Sequence, residues 1–113
     1  MRIVVTGGRD FDDRELAISA LSSLPKDTVV INGGAKGADT LCAEIAEELG
    51  MHVRTFPANW KRYGKKAGPI RNLQMLSSGP VDMVLAFPGG KGTANCIAQA
   101  RAKGIHVFFA KER

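Results

Sequence analysis

Apolar residues alternate along the chain between two patterns. Short, nearly continuous and β-branched runs predict strands: Ile3-Val4-Val5, Val29-Val30-Ile31, Val81 to Phe87, Ile105 to Phe109, and a weaker one from His52 to Phe56. Continuity, as opposed to strict alternation, marks parallel strands covered on both faces. Between them, apolar positions recur at helical spacing: Leu16, Ala17, Ala20, Leu21 and Leu24; Leu41, Cys42, Ile45, Ala46 and Leu49; Ile70, Leu73 and Leu76; Ala94, Ile97, Ala98 and Ala102. Gly50 and Gly104 each follow a helix and precede His-Val, where a left-handed residue is wanted, and Gly79-Pro80 ends the third helix. Four β-α units and a last strand predict an α/β fold, a three-layer, doubly wound parallel sheet of about five strands in the order 3-2-1-4-5.

With 113 residues and no repeat, linker or low-complexity stretch, one domain spanning residues 1–113 is expected. Apolar runs such as Met83 to Phe87 are far shorter than the roughly 20 residues that cross a bilayer, so no membrane partner is expected. Met1-Arg2 leads directly into the first strand without a signal-like apolar region, and a cytoplasmic location is the default. Cys42 and Cys96 lie inside helical patterns with no CxxC or His nearby, which suits core residues better than a disulfide or a metal site. The formal net charge of +5 suggests a polyanionic partner, and its placement narrows that idea. Arg54, Lys61, Arg62, Lys65, Lys66 and Arg71 fall between residues 49 and 81, where there is no acid, and the rest of the chain has a net charge of −1.

Eight of the 13 glycines lie in three clusters, Thr6-Gly7-Gly8-Arg9-Asp10, Asn32-Gly33-Gly34-Ala35-Lys36-Gly37-Ala38-Asp39 and Pro88-Gly89-Gly90-Lys91-Gly92-Thr93. Each follows the end of a predicted strand and opens a helix. That edge of an open α/β sheet is where ligands bind, and glycine-flanked helix N-termini offer N–H groups and a positive dipole end to an anion. Tight βα turns alone would explain one such cluster more easily than three. Standard nucleotide fingerprints are absent. Gly90-Lys91-Gly92-Thr93 has lysine and glycine in the wrong order for a P-loop, and the first cluster lacks GxGxxG, with Thr28 where an acidic ribose ligand would stand. An ordinary ATPase or a dinucleotide-dependent dehydrogenase is not expected, and no cofactor is implied.

These three clusters, together with Pro57-Ala58-Asn59-Trp60, Tyr63-Gly64-Lys65 and Gly68-Pro69-Ile70-Arg71-Asn72, resemble the YspA-like, YpsA-related branch of the SLOG superfamily across nearly the whole chain. The resemblance implies a Rossmann-like domain that binds nucleotides or nucleotide-derived molecules. The superfamily includes the Lonely Guy phosphoribohydrolases, the DNA-processing protein A group and sensor domains of antiphage systems. The Lonely Guy motif is similar to Pro-Gly-Gly-x-Gly-Thr-x-x-Glu, whose glutamate works at the glycosidic bond. Here Cys96 stands at the glutamate's place. Breaking an N-glycosidic bond builds positive charge on the sugar, which a carboxylate stabilises. Asp10 and Asp39 are the candidate catalytic substitutes, although Asp39 also fits an N-cap of the second helix, and Asp10, Asp12 and Asp13 fit a cap of the first.

Residues 57–72 form the long connection after the third strand. Pro69 suits a first helical turn and brings Arg71 and Asn72 to the crevice edge, Arg71 for a phosphate and Asn72 for a ribose or base edge. Lys65 and Lys66 add charge or lie in solvent, and Trp60 or Tyr63 stacks on a base or packs the loop. His52 and His106 have no assigned role. The candidate ligand-binding set is therefore Thr6, Gly7, Gly8, Arg9, Gly33, Gly34, Lys36, Gly37, Asp39, Trp60, Arg71, Asn72, Pro88, Gly89, Gly90, Lys91, Gly92 and Thr93. The first functional expectation is a nucleotide-binding sensor, carrier or sequestering protein. Its rivals are a hydrolase of an N-glycosidic or phosphoester bond, and a single-stranded nucleic-acid binder using aromatics among basic residues. A second copy of the chain, covering the helices in a homodimer, is a candidate partner.

Overall fold

The computed structural model describes residues 1–111. In chain order the elements are β1 (Arg2–Thr6), α1 (Arg14–Ser22), β2 (Val29–Asn32), α2 (Ala38–Glu48), β3 (His52–Thr55), α3 (Trp60–Tyr63), a 3-10 turn (Gly64–Lys66), α4 (Ala67–Leu76), β4 (Met83–Ala86), α5 (Lys91–Ala102) and β5 (Val107–Phe109). The five strands are parallel, in the order β3-β2-β1-β4-β5 that the sequence pattern predicts. The long connection is not loop throughout. It contains α3, capped where Asn59 Oδ1 accepts from Arg62 N at 3.0 Å, and α4 begins at Ala67, ahead of the apolar spacing that marked it.

Alternate side chains of the central strands point to opposite layers. Ile3, Val5 and Leu85 pack with Ala17, Leu21, Cys42 and Ile45 beneath α1 and α2. Val4, Ile31 and Val84 pack with Met75, Leu76, Cys96 and Ala100 beneath α4 and α5. Each fully buried aliphatic side chain contributes about 1.5–3 kcal/mol, so this two-sided burial is what the continuous apolar runs encode. The edge strands depart from that rule. His52, Arg54 and Thr55 of β3 are exposed, and so are Phe108 and Phe109 of β5, with the Arg101 guanidinium 5.8 Å from the centre of the Phe109 ring.

Helix ends follow local chemistry. Asp13 Oδ1 accepts from Leu16 N at 3.1 Å and caps α1, a role that Asp10 and Asp12 do not share. Gly50 and Gly104 adopt the left-handed conformations expected of them, with φ of 78° and 74°. No helix among the described residues is long and apolar enough to cross a membrane.

Candidate functional site

The three glycine loops leave the ends of β1, β2 and β4 and are bonded to one another. Gly8 N donates to Pro88 O at 2.8 Å, and Gly8 O accepts from Ala38 N at 3.1 Å and from Phe11 N at 3.3 Å. Several glycines are required by these junctions. A Cβ on Gly89 would lie 2.7 Å from Gly8 N, and one on Gly37 would strike the Gly8 carbonyl. Gly90 and Gly92 differ, since a Cβ on either would meet nothing within 4 Å and neither has a positive φ. Gly92 sits in the first turn of α5, where glycine is less favourable than alanine by at most the roughly 1 kcal/mol it costs in a helix interior. The helix start, at Gly90, has no side-chain cap. The chain thus keeps an uncapped helix N-terminus bare where its own packing does not demand it.

That N-terminus opens on a cavity of about 490 Å³. Thr6 to Arg9 form one wall, and Gly90 to Thr93 with Asn95 form another. Ala35 and Asp39 come from the second loop and α2, Trp60 and Lys65 from the connection, and Gly68, Pro69, Arg71, Asn72 and Met75 from α4. Arg9, Lys65, Arg71 and Lys91 bring four cations against the single carboxylate of Asp39. Only Lys65 and Arg71 belong to the basic stretch of residues 49–81, so the site's positive charge is assembled from three regions and not from one loop. Elsewhere in that stretch, Arg54 lies 5.1 Å from the Phe56 ring and Arg62 lies 5.2 Å from the Tyr63 ring.

Arg71 is held at two points, donating from Nη1 to Gly33 O at 2.8 Å and from Nε to Asn72 Oδ1 at 3.0 Å. Its Nη2 has no protein partner among the described residues. Asn72 lines the cavity and is 3% exposed, and its donors go to Gly92 O and Asn95 Oδ1. Asp39 is 6% exposed and is not the N-cap of α2, a place Gly37 takes with φ 92°. Its Oδ2 accepts from Gly33 N at 3.2 Å and from Ala35 N at 3.3 Å, bracing the second loop, while Oδ1 has no protein donor among the described residues.

Burial raises the Asp39 pKa above the ordinary carboxylate range, opposed by the Ala35 N–H, the Arg71 charge and the Gly33 N–H. The folded chain therefore binds this proton more tightly than the unfolded chain does. The resulting stabilisation is complete below the unfolded value of about 3.9 and is lost as pH rises through the higher folded value. Urea denaturation from pH 3 to 7 is expected to show Asp39→Asn gaining stability relative to wild type as pH rises through that window. Parallel profiles for the two proteins would contradict it. Cys96 is fully buried, and burial pushes its thiol up to about 11 against a hydrogen bond from Thr6. A neutral thiol cannot do the work of a glutamate.

A family model described as YAcAr, the YspA, cpYpsA-related SLOG family, matches residues 1–63. The chain belongs to the YAcAr family. The Gene 61 protein of Mycobacterium phage D29 is 37% identical to this YAcAr chain over 118 residues, covering 95% of this chain and 94% of the phage protein. The X-ray structure of TM1055, a Northeast Structural Genomics Consortium target, matches with a TM-score of 0.75 and 22% identity over 94% of this chain and 71% of the other. At that identity the likeness concerns the fold alone, here the Rossmann-like sheet. The YAcAr match takes in the first two glycine loops and Trp60 and stops before Arg71 and the third loop.

Of the remaining sequence candidates in this YAcAr chain, Thr6, Gly7, Gly8, Arg9, Trp60, Lys91 and Thr93 line the cavity, and Trp60 is 50% exposed. Gly33, Gly34, Lys36 and Gly37 do not, and Lys36 is exposed to solvent. Pro88, Gly89 and Asp10 line an adjoining hollow with Phe11, Asp12 and Asp13, which shares Gly8, Arg9 and Gly90 with the cavity; Asp10 is not among the cavity's lining residues. The candidate set left out Val5, Ala35, Gly68, Pro69, Met75 and Asn95, of which Ala35, Gly68 and Pro69 stand inside quoted motifs and Met75 and Asn95 carry no motif signal. It also missed Asn32, whose Oδ1 accepts from Gly34 N at 2.8 Å and whose Nδ2 donates to Thr55 Oγ1 at 3.1 Å.

Proposed function

We propose that the cavity binds a nucleotide or a nucleotide-derived small molecule, and that the protein acts as a sensor, carrier or sequestering protein. The observation that carries this reading is the open space over Gly90 and Gly92, at an uncapped helix start inside a cavity with four cations. A phosphate suits that place, because the helix dipole and unpaired N–H groups favour an anion there and arginine adds a planar fork of donors. The unpartnered Asp39 Oδ1 suits a ribose hydroxyl, and the exposed Trp60 suits a base. Isothermal titration against AMP, ADP-ribose, cyclic ADP-ribose variants and NAD is expected to find at least one ligand. Absence of binding to all of them at high micromolar concentrations would overturn the reading.

Gly92→Ala separates stability from function. The new methyl enters open space in a helical turn, so the free protein is expected to gain up to about 1 kcal/mol. The same methyl occupies the ligand's approach, and affinity is expected to fall about tenfold or more. Thermal melts and titration of one variant check both, and unchanged affinity would remove Gly92 from the site.

A second reading, hydrolysis of an N-glycosidic or phosphoester bond, is favoured by one observation, the Asp39 oxygen left free at the cavity wall. It predicts release of free base from a bound nucleotide if the N-glycosidic bond is cut, or of phosphate if the phosphoester is, either one abolished by Asp39→Ala. Turnover that survives this substitution would exclude Asp39 as the catalytic group.

A further inference from the structure

A buried side-chain amide has two donors and an acceptor to satisfy inside the protein. Asn72 does so by joining two walls of the cavity. Arg71 Nε can only donate, so the Asn72 atom 3.0 Å from it is the carbonyl oxygen. That orientation turns Nδ2 toward the Gly92 carbonyl at 3.2 Å, in the first turn of α5, and toward Asn95 Oδ1 at 3.1 Å. Asn95 Oδ1 also accepts from Gln99 Nε2 at 2.8 Å. The guanidinium, pinned as well by Gly33 O at 2.8 Å, is fixed in plane relative to α5 before any ligand arrives. On the other side of Gly33, whose N–H it accepts from, the nine-tenths buried Asp39 keeps an oxygen without a protein donor among the described residues.

We propose that Asn72 is a positioning residue, a clasp that aligns Arg71 with the first turn of α5 so that both grip the same phosphate of the ligand. This rests on the nucleotide reading of the cavity. Asn72 itself does not touch the ligand. Its effect is preorganisation: an unclasped arginine must be ordered at the moment of binding.

The test is titration of AMP and ADP-ribose, with adenosine as the phosphate-free comparison, using wild type, Asn72→Ala, Arg71→Ala and the double variant. Asn72→Ala is expected to weaken the phosphorylated ligands about tenfold, to leave adenosine unchanged, and to have no further effect once Arg71 is alanine. A merely structural role predicts losses for adenosine as well, and losses that persist in the Arg71→Ala background; either overturns the clasp. Gln99→Ala, at the far end of the network, is expected to bind as wild type does. Hydrogen exchange at Arg71 Nε–H in the wild type requires no variant to fold: protection supports the clasp and rapid exchange overturns it. Wild-type protein that binds neither nucleotide overturns the nucleotide reading and the clasp together, whereas nucleotide binding indifferent to Asn72→Ala overturns the clasp alone.

Discussion

Arg71→Ala is expected to weaken nucleotide binding by about 10- to 100-fold, the range that follows from losing a charge-assisted hydrogen bond of about 1.5–3 kcal/mol. Arg71 reaches the cavity with its plane fixed by Gly33 O and Asn72 Oδ1, and among the described residues its remaining donors have no protein partner to give up when a phosphate binds. Arg71→Lys restores the charge without the fork, and only partial recovery is expected. Calorimetric titration of the three proteins with the same nucleotide provides the comparison. An affinity within twofold of wild type in the alanine variant would remove Arg71 from the site. Arg71→Ala also leaves Gly33 O without its donor, so folding should be checked by melting each variant alone.

Gly37→Ala acts on the fold itself. With φ at 92° and ψ at −127°, Gly37 has a backbone conformation that side chains rarely adopt, and its Cβ would collide with the carbonyl of Gly8. Backbone strain costs about 1–3 kcal/mol and forced overpacking a similar amount, so a loss of about 3 kcal/mol is expected. Against a total of about 5–15 kcal/mol that is a large share, and the melting temperature should drop by about 10 °C or more. The collision also strikes an oxygen that accepts from Ala38 N and Phe11 N, so the junction of the first and second loops is expected to open. A melting temperature within 2 °C of wild type, on the order of a few tenths of a kcal/mol, would show that the junction yields at little cost.

The sheet was legible because burial on two faces leaves a direct trace. Residues of β1, β2 and β4 at the centre are continuously apolar, and the glycines after α2 and α5 mark where those helices must stop. The edges were less legible, since β3 carries His52, Arg54 and Thr55 in the open and β5 exposes adjacent phenylalanines. For the site, glycine clustering pointed to the right edge of the sheet but did not sort the glycines. Gly7, Gly8, Gly37 and Gly89 look like Gly90 and Gly92 in sequence, yet the first four have close neighbours where a Cβ would stand and the last two have none. Charge along the chain was similarly incomplete, because Arg9 and Lys91 lie far in sequence from Lys65 and Arg71 and meet them only at the cavity.

Hydrophobic periodicity and turn chemistry, which act between near neighbours, determined the elements, the alternation of layers and the loops that carry the site, and the strand order followed from the way such β-α units wind. Tertiary structure alone decided that Asp39 braces a loop instead of capping its helix, that Asp10 faces another hollow, and that Asn72 is consumed in holding Arg71 to α5. The physical reason is that a side chain's hydrogen-bonding capacity is spent on whichever groups folding brings within about 3 Å. Its residue type fixes how many bonds it can make, and the packing of distant segments fixes whether any are left for a ligand.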